Sequence, residues 1–181
     1  MPKQDPFSIL REDHATLKTL LGELTGTSTE GVVRRTALVR TIKKLFEVHT
    51  ALEAEIFYMA FQESSPAKQD QKKYYEALEE HDAVRLAFAE LEQADPATPR
   101  FAGKAKVLKG LILRHSREEE REMFPRAREH LFEEEVVGLT IRMTARRNEL
   151  ETISDVLEMM TPSETSAPPA TRAPRRIARA S

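Results

Sequence analysis

The chain has 181 residues, 32% of them charged and 40% apolar, with only six glycines and a formal net charge of −2. That length suits one domain with a real core, and the charge balance gives no strong field for nucleic acid or a membrane surface. Cysteine is absent, so disulfides, iron–sulfur clusters and cysteine-zinc sites are excluded, and any metal must be held by His, Asp or Glu.

In chain order, the pattern predicts helix after helix from about residue 5 to 160. The opening "MPKQDPFSIL" lacks the apolar run of a secretion signal, and no apolar stretch is long enough to span a bilayer, so the cytoplasm is the expected location. Asp5 is the expected N-cap of helix one and Pro6 its first residue, with Phe7, Leu10, Leu17 and Leu21 at helical spacing. "GTSTEG" interrupts the pattern before a second helix at about 30–62, and "ESSPA" before a third at about 66–93. "ADPATPR" precedes a fourth at about 98–130. A fifth, about 133–160, carries Val136, Leu139, Ile141, Met143, Leu150, Ile153 and Leu157. Short connections between long helices favour antiparallel neighbours. The expected fold is therefore all-α: an up-down-up-down four-helix bundle with an additional C-terminal helix, one domain over 5–160 whose metal-binding core is expected at about 5–130. The last twenty residues, "PSETSAPPATRAPRRIARAS", set four arginines against one glutamate and offer almost nothing to bury. A disordered tail is expected from 161 to 181, basic enough to hold a protein partner.

Histidine falls at 14, 49, 81, 115 and 130. "HTALEAEIFYM" and "HSREEEREMFP" repeat a His-x-x-x-Glu motif, His49 with Glu53 and His115 with Glu119, at an interval of 66 residues. His14 and His81 repeat at 67. Each half of the chain thus reads as a helix hairpin, with one histidine on its first helix and a His–Glu pair on its second. A step of four residues returns to nearly the same helix face, so each pair projects together. All four histidines lie on apolar stripes, His14 among Leu10 and Leu17, His49 among Phe46 and Leu52, His81 among Leu78 and Val84, His115 beside Ile112. All four therefore aim at the core. A lone core histidine ordinarily bonds a carbonyl, and a lone His–Glu pair can lie on a surface. Six residues converging from four helices differ, because an unpaired buried carboxylate costs several kcal/mol and two repel each other. A cation between them turns that penalty into binding free energy. Four imidazoles and two carboxylates without sulfur suit Fe, Mn, Zn or Co. They exceed the four ligands of a structural zinc and match two ions bridged by carboxylates, with positions open for a small ligand.

The segments "DH" on helix one, "HTALEAEIFY" on helix two, "EEHD" on helix three and "HSREEEREMFP" on helix four resemble the hemerythrin-like proteins, the HHE cation-binding domain family, over about residues 5–130. The resemblance implies a four-helix bundle around a non-haem di-iron centre, bridged by carboxylate and an oxo or hydroxo group. It implies binding of O2, a response to nitric oxide, peroxide or iron, or metal storage. Carried over position by position, it implies two iron ions on His14, His49, Glu53, His81, His115 and Glu119; manganese or zinc suits the same donors. The oxygen-carrying hemerythrins have a further ligand histidine one turn after that on helix three, where this chain has Arg85, and a longer His-to-Asp spacing on the last helix. Fewer nitrogens favour reaction with peroxide or nitric oxide over O2 carriage. Turnover as an oxidoreductase and iron, oxygen or redox sensing through a protein partner both stay open. A metal-free interaction bundle is a third class.

Tyr58, nine residues after His49, falls round the helix and reads as packing. Tyr74 reads as core filler and His130 as surface. Glu122 stands open between a carboxylate behind the ligands and a solvated one. The "EEE" runs at 118–120 and 133–135 read as solvated apart from Glu119. No Ser-His-Asp arrangement, glycine-rich phosphate loop or nucleic-acid motif is present.

Overall fold

The computed structural model describes residues 5–65 and 67–160, so the expected tail at 161–181 lies outside the described residues. Helix α1 (Pro6–Gly26) starts on Asp5 as expected. The Ser8 amide donates to Asp5 Oδ1 at 2.7 Å, and the Asp5 amide donates to Ser8 Oγ at 2.8 Å. This reciprocal cap satisfies two amides that the helix leaves unpaired. Pro6 occupies the first helical position, where no amide hydrogen is needed.

The second rod consists of α2 (Val32–Leu52), a π turn (Glu53–Phe57) and α3 (Tyr58–Ser64). Helix α4 (Lys68–Glu92) is the third. The fourth repeats the second: α5 (Pro99–Glu118), a π turn (Glu119–Met123) and α6 (Phe124–His130). Each π turn begins on a glutamate of the His-x-x-x-Glu motif, and its hydrogen bond closes five residues on, from the Tyr58 amide to Glu53 O and from the Phe124 amide to Glu119 O. Such wide turns are rare in ordinary helices and recur at functional sites. Helix α7 (Glu133–Met160) completes the described chain. Among the described residues there is no strand, and no helix is long and apolar enough to cross a membrane.

Helix α1 packs between α2 and α5, and α4 packs against α5 and α2, which closes a four-membered ring. Two apolar clusters fill it. One gathers Phe7, Leu10, Phe57, Phe61 and Phe124; the other gathers Leu17, Leu21, Ile42, Phe46, Phe88 and Leu108. Each fully buried side chain of this kind contributes about 1.5–3 kcal/mol. The motif histidines and glutamates form a polar layer between the clusters, since His14 lies between Leu10 and Leu17 on α1 and His49 between Phe46 and Leu52 on α2. At the end remote from the α1 N-terminus, buried Arg35 donates to Thr27 O at 2.9 Å and to Pro96 O at 2.6 Å, joining the two loops there. Helix α7 lies outside the ring against α1, α2 and the first π turn.

Candidate metal centre

All six expected residues meet in the polar layer, and each is at most 4% exposed. They form two groups that share Glu53: His14, His49, Glu53 and Glu119, then Glu53, His81 and His115. Glu53 Oε1 lies 3.0 Å from His49 Nε2, and Glu53 Oε2 lies 3.1 Å from His81 Nε2. One carboxylate thus presents one oxygen to each histidine pair. Glu119 Oε2 lies between the pairs, 3.2 Å from His14 Nε2 and 3.5 Å from His115 Nε2.

Within each pair the Nε2 atoms are 3.1 Å apart, and the rings have the same relation in both, centroids 4.7 Å apart and planes at 70°. The hairpin repeat has become a pseudo-twofold centre. The Nδ1 atoms fix which nitrogen points inward. His14 Nδ1 donates to Glu120 Oε1 at 2.8 Å, His49 Nδ1 to Asp13 Oδ2 at 3.2 Å, and His115 Nδ1 to Glu80 Oε2 at 3.0 Å. Carboxylates only accept, so these three rings, when neutral, direct an Nε2 lone pair into the layer. Facing lone pairs at that distance repel unless a cation lies between them. Two nitrogens about 2.1 Å from one ion, at right angles, stand about 3.0 Å apart, which fits the spacing here.

The carboxylates fit a cation equally well. Glu53 Oε1, Glu53 Oε2 and Glu119 Oε2 are sealed from solvent and have no aligned hydrogen-bond donor, although ring nitrogens crowd them. Burial opposes a charge on His49, but Glu53 and the hydrogen bond to Asp13 outweigh it and raise the ring from 6.5 to about 10. Burial opposes a charge on His115 too, and Glu119, Glu53 and Glu80 hold that ring well above 6.5. Glu53 is desolvated, yet the His49 charge and the neighbouring rings hold it well below 4.5. Without metal, protons on the imidazoles neutralise the carboxylates; with metal, the ions take that place.

Tyr58 corrects the sequence reading. It is fully buried, but its hydroxyl donates to Glu119 Oε1 at 2.7 Å and lies 3.3 Å from His81 Nε2. In an unbroken α-helix nine residues turn the chain to the opposite side. The π turn takes up one extra residue and brings Tyr58 back towards the layer. Burial and the charges of Glu119 and Glu53 raise its hydroxyl well above 10, so it remains a donor. Its ring stacks on His81 at 5.6 Å between centroids, and Phe124, in the same place on the second π turn, stacks on His14 at 6.0 Å.

Glu120 is a second correction. It was expected in solvent with its neighbours, yet it holds His14. Asp13 and Glu80 were not singled out at all, although each directly precedes a core histidine. One residue is a 100° step round the helix, which takes the side chain from the core to the seam with the next helix. The readings of His130 and Tyr74 hold, and Glu122, which stood open, is solvated. His130 is exposed, Glu122 is exposed and pairs with Lys73, and half-buried Tyr74 packs on the Tyr58 cluster. Arg85 bonds Thr50 and Asp82 away from the centre.

Among the described residues, openings reach the layer from two sides. A cleft of about 480 Å3 between α1 and α5 has His14 and Glu120 in its wall, with Arg11, Lys18 and Arg117 around them. A gap of about 20 Å3 reaches His115 and Glu119 from the α4 side. A larger groove, of about 590 Å3, lies elsewhere, against α7, and is lined by none of the six residues.

Comparison with known proteins agrees with this geometry. The hemerythrin HHE cation binding domain family matches residues 5–127. No curated protein matches the chain. The crystal structure of a hemerythrin HHE cation binding domain-containing protein from Mycobacterium kansasii superposes with a TM-score of 0.75 and 21% identity, covering 87% of this chain and 94% of that one. The family match spans well over half of the sequence and includes every residue of the polar layer, and the chain belongs to the hemerythrin HHE cation-binding domain family.

Proposed function

We propose that the chain is a non-haem di-iron protein that binds or reacts with a small oxidant, peroxide, O2 or nitric oxide. His14 and His49 would hold one ion and His81 and His115 the other, with Glu53 and Glu119 joining them. The observation that carries this reading is Glu53, whose two buried, unbonded oxygens each face a different histidine pair. When bound, such a pair of ions supplies one-electron redox chemistry to a small ligand.

The chain's own residues divide the remaining work. Asp13, Glu80 and Glu120 fix the ring tautomers from behind. Phe124, Tyr58 and Phe46 wall the layer against bulk water. Tyr58 offers the centre one exchangeable proton, on a hydroxyl that already touches Glu119. The α1/α5 cleft supplies a path for a ligand of a few atoms.

Elemental analysis of protein purified from iron-supplemented cells tests the reading. About two irons per chain are expected, and His49→Ala or His115→Ala should lose metal and visible absorption together. Both variants keeping full iron and spectrum would remove the ligand assignment. Zinc or manganese in place of iron would keep the site and change its chemistry. Sensing through a partner is the second reading, favoured by the hydrogen bond from α7 to Asp13. Repeated turnover per centre separates an enzyme from a sensor.

A further inference from the structure

The two carboxylates that directly precede a core histidine are themselves held differently. Glu80 accepts from Arg114 Nη2 at 2.9 Å, and Arg114 directly precedes the His115 that Glu80 steadies. The second hairpin is self-sufficient. The equivalent residue before His49 is Val48, buried and uncharged. Asp13 takes its arginine from outside the ring instead: Arg147 of α7 donates at 2.6 Å to the same Oδ2 that accepts from His49 Nδ1.

Helix α7 lies beyond the residues 5–127 that the family matches. It is also lightly seated. Among its described side chains only Leu139 and Met143 are buried apolar residues, while Ile141 is 64% and Ile153 53% exposed. Leu150 and Ile153 border a groove of about 590 Å3 rather than filling it. Beyond Arg147, ion pairs from Arg146 to Glu55 and from Lys44 to Asp155 hold it. A helix with so few buried apolar contacts opens more readily than the core beneath it.

We propose that Arg147 is a positioning residue of the metal centre, and that the seating of α7 thereby controls how firmly the His14/His49 half grips its ion. The inference rests on the metal reading above. Arg147 orients the Asp13 carboxylate, and Asp13 holds the His49 ring with Nε2 inward. Remove the guanidinium and the carboxylate turns towards solvent, leaving His49 without its partner. The coupling is reciprocal: an ion held by His49 tightens α7, and a protein that lifts α7 loosens the ion.

Chelator competition with Zn2+ on metal-free protein tests this, comparing wild type with Arg147→Gln, Arg147→Lys and Arg146→Gln. Arg147→Gln should weaken one of the two binding steps severalfold, up to the roughly tenfold that losing a ligand's own hydrogen-bond partner costs. Arg147→Lys should restore most of that affinity. Arg146→Gln, which breaks the pairs to Glu55 and Glu149 but leaves Arg147 on Asp13, should weaken that step clearly less than Arg147→Gln does. An unchanged Arg147→Gln, or an equal loss in Arg146→Gln, overturns the proposal. Hydrogen exchange reads the reverse direction: Zn2+ should slow exchange of α7 amides in wild type more than in Arg147→Gln, and equal slowing counts against coupling. If wild type takes up no metal, the metal reading fails by itself, and nuclear magnetic resonance of the metal-free chain still decides the role of Arg147. The hydrogen-bonded Nδ1 proton of His49 should move upfield or broaden in Arg147→Gln and return in Arg147→Lys. An unmoved resonance excludes the positioning role.

Discussion

Tyr58 places a phenol hydroxyl 2.7 Å from Glu119 Oε1, at the position where its pseudo-twofold mate Phe124 has only a ring edge. Tyr58→Phe removes the aligned donor to a buried carboxylate oxygen and leaves a void too small to collapse. The metal-free variant should lose about 1–3 kcal/mol in urea unfolding, and the loaded variant should hold its metal roughly tenfold more weakly, because Glu119 loses its hydrogen-bond partner. Unchanged stability would mean that another donor takes over the oxygen. The six motif residues were legible because four-residue steps and the recurrence at 66 and 67 residues put them all on core-facing stripes. Tyr58 and Glu120 were not, for two physical reasons. An α-helical angle misplaces Tyr58 by the one residue that the π turn absorbs. Glu120 closes a run of three glutamates, 118–120, and only the closeness of α1 to the second π turn singles it out.

At the scale of elements, caps and breaks marked the helix ends well. The expected second and third helices began about two residues early, ahead of Val32 and Lys68, because "GTSTEG" and "ESSPA" contain residues that tolerate either state. Asp5 caps the helix that supplies both Asp13 and His14, and it also pairs with Arg128 of α6 at 2.6 Å. Asp5→Ala should cost about 1 kcal/mol of stability with metal content unchanged, read by thermal unfolding and elemental analysis of the same sample. A parallel loss of metal would mean that fraying of α1 reaches His14. The π turns themselves left little trace. "EAEIF" and "EEREM" have neither Gly nor Pro, and only Pro125, just past the second turn, hints that the ladder is interrupted there. The fifth helix was legible as a helix but not in its seating. Its apolar residues do not form one stripe, so Ile141 and Ile153 face outward while Leu139 and Met143 face in.

For the molecule as a whole, the buried charges set a pH response. His49 is raised from 6.5 to about 10, so its contribution to metal-free stability is complete below 6.5 and is lost as pH rises through about 10. Glu53 is lowered below 4.5, so its contribution is present above 4.5 and is lost as pH falls through its lower native value. Metal-free stability should therefore peak between about 4.5 and 6.5 in a denaturation series across pH. Loading must expel the protons of His49 and His115, so at pH 7 Zn2+ uptake should release about two protons per chain into a weakly buffered indicator. Release of none would mean that the rings are already neutral. The bundle was built by repetition, but its halves are not interchangeable. Ala54 stands where Glu120 stands in the other half, and Phe124 where Tyr58 does. Among the described residues, two carboxylate-backed imidazoles, His14 and His49, face a pair with only one, His115. Such backing makes an imidazole a stronger electron donor. The duplicated scaffold thus has a polarity, a head and a tail, and an unsymmetrical guest entering it meets a built-in direction.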